Sequence, residues 1–148
     1  MRFVLILVLA ALAATPSFAA NPDKILDAQE LTALAAKAER ATPKDQCYLD
    51  AMLVQSMSEL AGQQMDNGET AQASASLKAI QEYTTKIHTG MSNNSKRLKD
   101  AQIMMRRTAF RIKELMMNAS LNDQAAYQST LNQLDQVQSQ MMLAVFQK

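Results

Sequence analysis

Residues 98–119 read LKDAQIMMRRTAFRIKELMMNA. In this stretch Leu98, Ala101, Met105, Thr108, Ile112, Leu115 and Ala119 follow one another in alternating steps of three and four residues. Side chains at that spacing fall on one face of a helix and form a heptad seam. Lys99, Arg106, Arg107 and Lys113 lie between the seam positions, which predicts one buried edge and a charged outside.

The same spacing continues on the C-terminal side. Asn118-Ala119-Ser120-Leu121-Asn122-Asp123 interrupts the seam, with Ser120 and Asp123 placed as a capping box. Tyr127, Thr130, Leu134, Val137, Met141 and Ala144 then carry a second seam towards the C-terminus. Two such seams joined by a short break predict an antiparallel helical hairpin.

On the N-terminal side, Ala73, Leu77, Ile80, Thr84 and Ile87 mark a helix that ends near Thr89-Gly90. Leu49, Leu53, Met57 and Leu60 mark another, widened by Val54, Ala61 and Met65 and opened by Thr42-Pro43. Ile25, Ala28, Leu31, Leu34, Ala35 and Ala38 mark the first, with Asn21-Pro22-Asp23 as its start signal. The expected spans are 22–40, 43–66, 70–89, 95–118 and 121–147. The fold class is therefore all-α, as a five-helix antiparallel bundle or as stacked helical hairpins. Leu60, Ala61, Gly68, Ala73, Leu77 and Ile80 give the second and third helices a resemblance to one tetratricopeptide unit, which implies a tight helical hairpin. A shift of 34 residues in either direction lands mainly on polar or charged residues, so no array is expected.

Composition agrees with helix. The chain has 148 residues, is 48% hydrophobic and 20% charged, and contains only three Gly and three Pro, too few turn residues for an all-β fold. Arg2, the apolar run Phe3–Ala14 and the small-residue site ending at Ala19 have the order of a secretory signal peptide. Residues 1–19 are expected to be cleaved and residues 20–148 to form a single helical domain, periplasmic or secreted. No segment is long and apolar enough to predict a membrane span. Charge is near balance after cleavage, and nothing points to nucleic acid.

Candidate chemistry is sparse. Cys47 is the lone cysteine, so it is either buried as a small hydrophobe or available for an intermolecular disulfide. His88 is the lone histidine, and with Met91 it could offer soft ligands to Cu(I). The eleven methionines fit core packing, each of the pairs Met104-Met105, Met116-Met117 and Met141-Met142 giving one member to the core and one to its boundary. No di-iron, zinc, phosphate-loop or nucleophile motif appears, so neither a cofactor nor an enzyme is expected. Lys96, Arg97, Lys99, Arg106, Arg107, Arg111 and Lys113 concentrate positive charge on the fourth helix, whereas residues 20–95 are the more acidic part. These seven do not share one narrow face, and an exposed Phe110 among them would be unusual. As a docking surface they suit an acidic partner. The sequence thus predicts an exported, non-enzymatic protein acting through a protein partner or self-association, with a small-ligand or copper carrier built on Met side chains and His88 as the alternative.

Overall fold

The computed structural model describes residues 24–147. The expected signal peptide, 1–19, and the start signal Asn21-Pro22-Asp23 lie outside the described residues. Five helices make up the fold: α1 Ala28–Arg40, α2 Pro43–Asp66, α3 Thr70–Gly90, α4 Leu98–Asn118 and α5 Leu121–Phe146. Among the described residues there is no strand, and no helix is long and apolar enough to cross a membrane.

Two helix starts differ from expectation. The first helix begins at Ala28 instead of residue 22, because Asp27 and Glu30 form the stronger start. The Asp27 carboxylate accepts the Glu30 N–H at 2.8 Å while the Glu30 carboxylate accepts the Asp27 N–H at 3.0 Å. Lys24 pairs with Glu30 and completes this cap. Ile25, assigned to the buried stripe, is left outside the helix and exposed. The fourth helix begins at Leu98 instead of residue 95, because Ser95 is used as a buried turn residue. Its hydroxyl accepts the Ser92 N–H at 3.1 Å, and Arg97 enters α4 in the left-handed region with φ 55°. The Arg97 guanidinium lies 3.8 Å from the centre of the Tyr48 ring and pairs with Asp100, two contacts that offset an unfavourable backbone. At α5 half of the expected capping box forms: the Ser120 hydroxyl accepts the Asp123 N–H at 3.3 Å, while the Asp123 carboxylate accepts the Ser120 hydroxyl and not its N–H.

The helices are stacked hairpins. Helix α2 pairs with α3 and α4 with α5, while α2 lies against α4 and α3 against α5; α1 packs on α2 alone. Four ties set the direction of stacking. The Lys96 N–H donates to the Lys44 carbonyl at 2.7 Å, and Arg111 meets Glu59 at 3.5 Å. The Gln133 amide donates to the Gln81 carbonyl at 3.1 Å, and His88 Nδ1 lies 2.7 Å from Gln140 Oε1. Each tie joins residues 52 apart. Helices α2 and α4 are therefore parallel, as are α3 and α5, and the second hairpin repeats the placement of the first.

The core has two parts. Leu31, Leu34 and Ala38 of α1 meet Leu49 and Leu53 of α2. On the other side of α2, Cys47, Ala51, Val54 and Ala61 join the seams of α3, α4 and α5. Complete burial of a Leu, Ile or Met side chain in such seams contributes about 1.5–3 kcal/mol. The seam threonines Thr84, Thr108 and Thr130 are buried too, and each hydroxyl donates to the carbonyl four residues earlier, at 2.7, 3.0 and 2.9 Å. That local bond removes the cost of an unpaired buried hydroxyl.

Candidate functional site

Three of the seven cations on the expected interaction surface are held by the fold. Lys96 pairs with Asp45 at 3.3 Å, Arg97 with Asp100 at 2.9 Å, and Arg111 with Glu59 and Glu114 at 3.5 and 3.4 Å. Arg111 lies over Gly62 of α2 so closely that a Cβ there would sit 2.2 Å from its Nη2. Its Nε is buried without a hydrogen bond. This arginine is a bracket between α2 and α4.

Lys99, Arg106, Arg107 and Lys113 are exposed and make no ion pair among the described residues. Lys99, Arg106 and Lys113 are spaced by seven and so do share one outward face, in contrast to the scatter expected of the full set of seven. Beside them, four residues on, run Ile103, Phe110 and Met117, again spaced by seven. Phe110 is 67% exposed and Met117 68%, so the unusual exposure of Phe110 is real. Helix α5 adds Met142, Leu143 and Phe146, and Leu121 stands at its start. Between α2 and α4, Gln55, Glu59, Arg106, Arg107, Phe110, Arg111 and Glu114 line an open groove of about 890 Å³.

A second place is defined by burial. Gln46, Cys47 and Asp50 of α2 and Lys86, Thr89 and Gly90 of α3 line a recess of about 250 Å³. Asp50 is only 2% exposed and accepts no hydrogen bond among the described residues. Burial pushes its carboxyl up to about 6; Lys86 pulls it down and Glu39 pushes it further up. The Cys47 thiol, 3% exposed, is pushed up to about 12 by burial and by the Asp50 charge. A thiol held that high is protonated at neutral pH and is a poor nucleophile. Its burial also puts it out of reach of a second chain unless the α2–α3 packing opens.

His88 points elsewhere. Its ring engages Gln140 on α5 and does not line the recess with Cys47, while Met91 packs against the core. Among the described residues no three His, Cys, Asp or Glu side chains gather in metal-binding geometry. Of the methionine pairs, Met105 and Met141 are buried beside more open Met104 and Met142, but Met116 is only partly buried and Met117 is outside.

Asp50 is the residue that sequence reasoning passed over. Its signal is present: it stands three after Cys47 and four before Val54, an acid inside a stripe of small apolar residues. Comparison with protein-family models, with curated proteins and with solved structures gives no match.

Proposed function

We propose that this chain is an exported, non-enzymatic helical protein that works by binding a protein partner through the outward face of its α4–α5 hairpin. The observation that carries the reading is the distribution of exposed apolar side chains. Among the described residues, six of the seven large ones belong to α4 and α5: Phe110, Met117, Leu121, Met142, Leu143 and Phe146. Stacked hairpins bury their faces against neighbours, and a terminal unit normally carries a polar outer face. Here the α2–α3 hairpin has α1 on one side and α4–α5 on the other, whereas the exposed apolar side chains of α4–α5 meet no further element among the described residues. A ridge of this kind marks an interaction site.

The unpaired cations define the partner's chemistry. Lys99, Arg106 and Lys113 flank Ile103, Phe110 and Met117, which suits a helix with apolar side chains bordered by Asp and Glu. Apolar burial would supply affinity, and complementary charge would supply orientation and encounter rate. Export rests on the order of charge, apolar run and small residues in 1–19. N-terminal sequencing of the mature protein, beginning at Ala20, would support it; a start at Met1 would reject it.

Site-specific photo-cross-linking in the producing cells tests the docking reading. A photoreactive group at Phe110 or Leu143 should capture one acidic protein, and the same group at Glu82 of α3 should not. Arg106→Glu with Lys113→Glu should reduce capture. A product of twice the chain's own mass would replace the acidic partner with a second copy. Equal capture from all three positions would remove the face from consideration.

A further inference from the structure

We infer that the recess between α2 and α3 is a binding site for a small zwitterion, an amino-acid-like molecule whose ammonium meets Asp50 at the floor and whose carboxylate meets Lys86 at the rim. The floor is the main observation. The Asp50 carboxylate is 2% exposed, lines the recess and receives no donor from the fold among the described residues, so its hydrogen-bond partners must come from whatever occupies the recess. The nearest cation of the chain does not fill that role. Lys86 lies within electrostatic reach of Asp50, but the two form no ion pair, and its Nζ is placed 4.6 Å from the centre of the Tyr83 ring. Glu39 of α1 adds a second negative charge to the surroundings of Asp50.

Three further features select the ligand. Thr89 and Gly90 belong to the last turn of α3, where carbonyl groups carry the negative end of the helix dipole. A positive group is therefore favoured at that wall as well as at Asp50. One carboxylate is too few for a hard divalent cation, which takes six or more oxygen ligands, commonly from several acids. An ammonium needs only three acceptors, and Asp50, the Gln46 amide oxygen and the α3 carbonyl end offer that chemistry. The exposed Lys86 at the rim disfavours a simple cation and favours one that carries its own anion. A volume of about 250 Å³ has room for roughly eight water-sized molecules, which limits the ligand to a small one.

The site is independent of the docking face on α4 and α5, so either can fail alone. The test follows backbone amide shifts of Gln46, Cys47, Asp50, Thr89 and Gly90 by NMR during titration with glycine, 3-aminopropanoate and 4-aminobutanoate. Butylamine and butanoate supply the ammonium and the carboxylate separately. At least one zwitterion should give saturable shifts confined to the recess, with butylamine at least tenfold weaker and butanoate without effect. Asp50→Asn should lower zwitterion affinity at least tenfold. Lys86→Met should bring the zwitterion down to the level of butylamine, and because Lys86 is exposed this variant tests the site even where the Asp50 change disturbs packing. No saturable shift with any zwitterion, unchanged binding in Asp50→Asn, or butylamine equal to the zwitterions in the unaltered protein would each overturn the proposal.

Discussion

The α2–α3 hairpin and the α4–α5 hairpin are built from helices of similar length and occupy equivalent places in the stack, yet they treat apolar surface differently. Between Pro43 and Gly90 no large apolar side chain is exposed, whereas the second hairpin exposes six. The cause is position. Helix α2 is covered by α1, α3 and α4, and it buries Leu53 on one side and Val54 on the other. Among the described residues helix α4 has neighbours only in α2 and α5, and it buries a single seam. An interior unit thus spends its sequence on packing, including small residues such as Ala51, Ala61 and Gly62 that let neighbours approach. The second hairpin leaves a face that no other element covers among the described residues.

The sharpest way to break that contrast is to truncate the seams. Ile112→Ala and Leu53→Ala each remove a fully buried side chain and should each cost about 2 to 5 kcal/mol in denaturant melts. A loss under about 1 kcal/mol at Ile112 would mean that α4 is turned the wrong way and that the exposed ridge is the real core face.

Next in size is the buried acid of the interior hairpin. Because the Asp50 carboxyl is pushed up to about 6, the folded state holds its proton more tightly than the unfolded chain does. Its favourable contribution is complete below about pH 4, the unfolded carboxylate range, and is lost as pH rises through about 6. Asp50→Asn should therefore gain on the unaltered protein between pH 4 and pH 7, by about 1 to 2 kcal/mol once screening through the recess is allowed for. Melts of both proteins across that range check it, and a constant difference would show that Asp50 titrates normally.

Smaller effects are expected on the outward face of the terminal hairpin. Arg107→Ala should cost under about 1 kcal/mol, since exposed charge contributes little to folding. The pair Phe110→Ser and Phe146→Ser should each stay within about 0.5 kcal/mol of the unaltered protein in the same melts, as surface substitutions do. A large loss in either would place these rings in intramolecular packing and erase the difference between the hairpins.

Single-faced helices were readable from sequence. The seams of α3, α4 and α5 show as clean three-four spacing because each buries one stripe, and their buried residues follow it from Ala73 to Ala144. Helix α2 was harder because two buried faces overlay two periodicities, and Asp50 disappeared between them. Two start signals compete at α1, the proline at 22 and the capping-box spacing of Asp27 and Glu30, and residue identity alone does not rank them. The stacking offset had no signature in residue identity. Leu49 stands 52 residues before Ala101, Val54 before Arg106 and Gly62 before Glu114, so the repeat lies in placement and not in composition. The outward basic face was hidden by grouping seven cations that only the fold separates into paired and unpaired ones.

The 52-residue offset also sets how the chain must reach this arrangement. Within each hairpin the partners are joined by a short turn, so the helices can zip together while the rest of the chain is still open. The ties between the hairpins instead close loops of 48 to 62 residues, and the entropy of that closure is lost before any contact across the α2–α4 and α3–α5 seams repays it. Docking of two preformed hairpins is then the slow event, with α3 and α4 joined by sequence but not lying as direct neighbours in the stack. Substitutions at the Arg111–Glu59 bracket should slow refolding, and those inside a single hairpin turn should mainly alter unfolding.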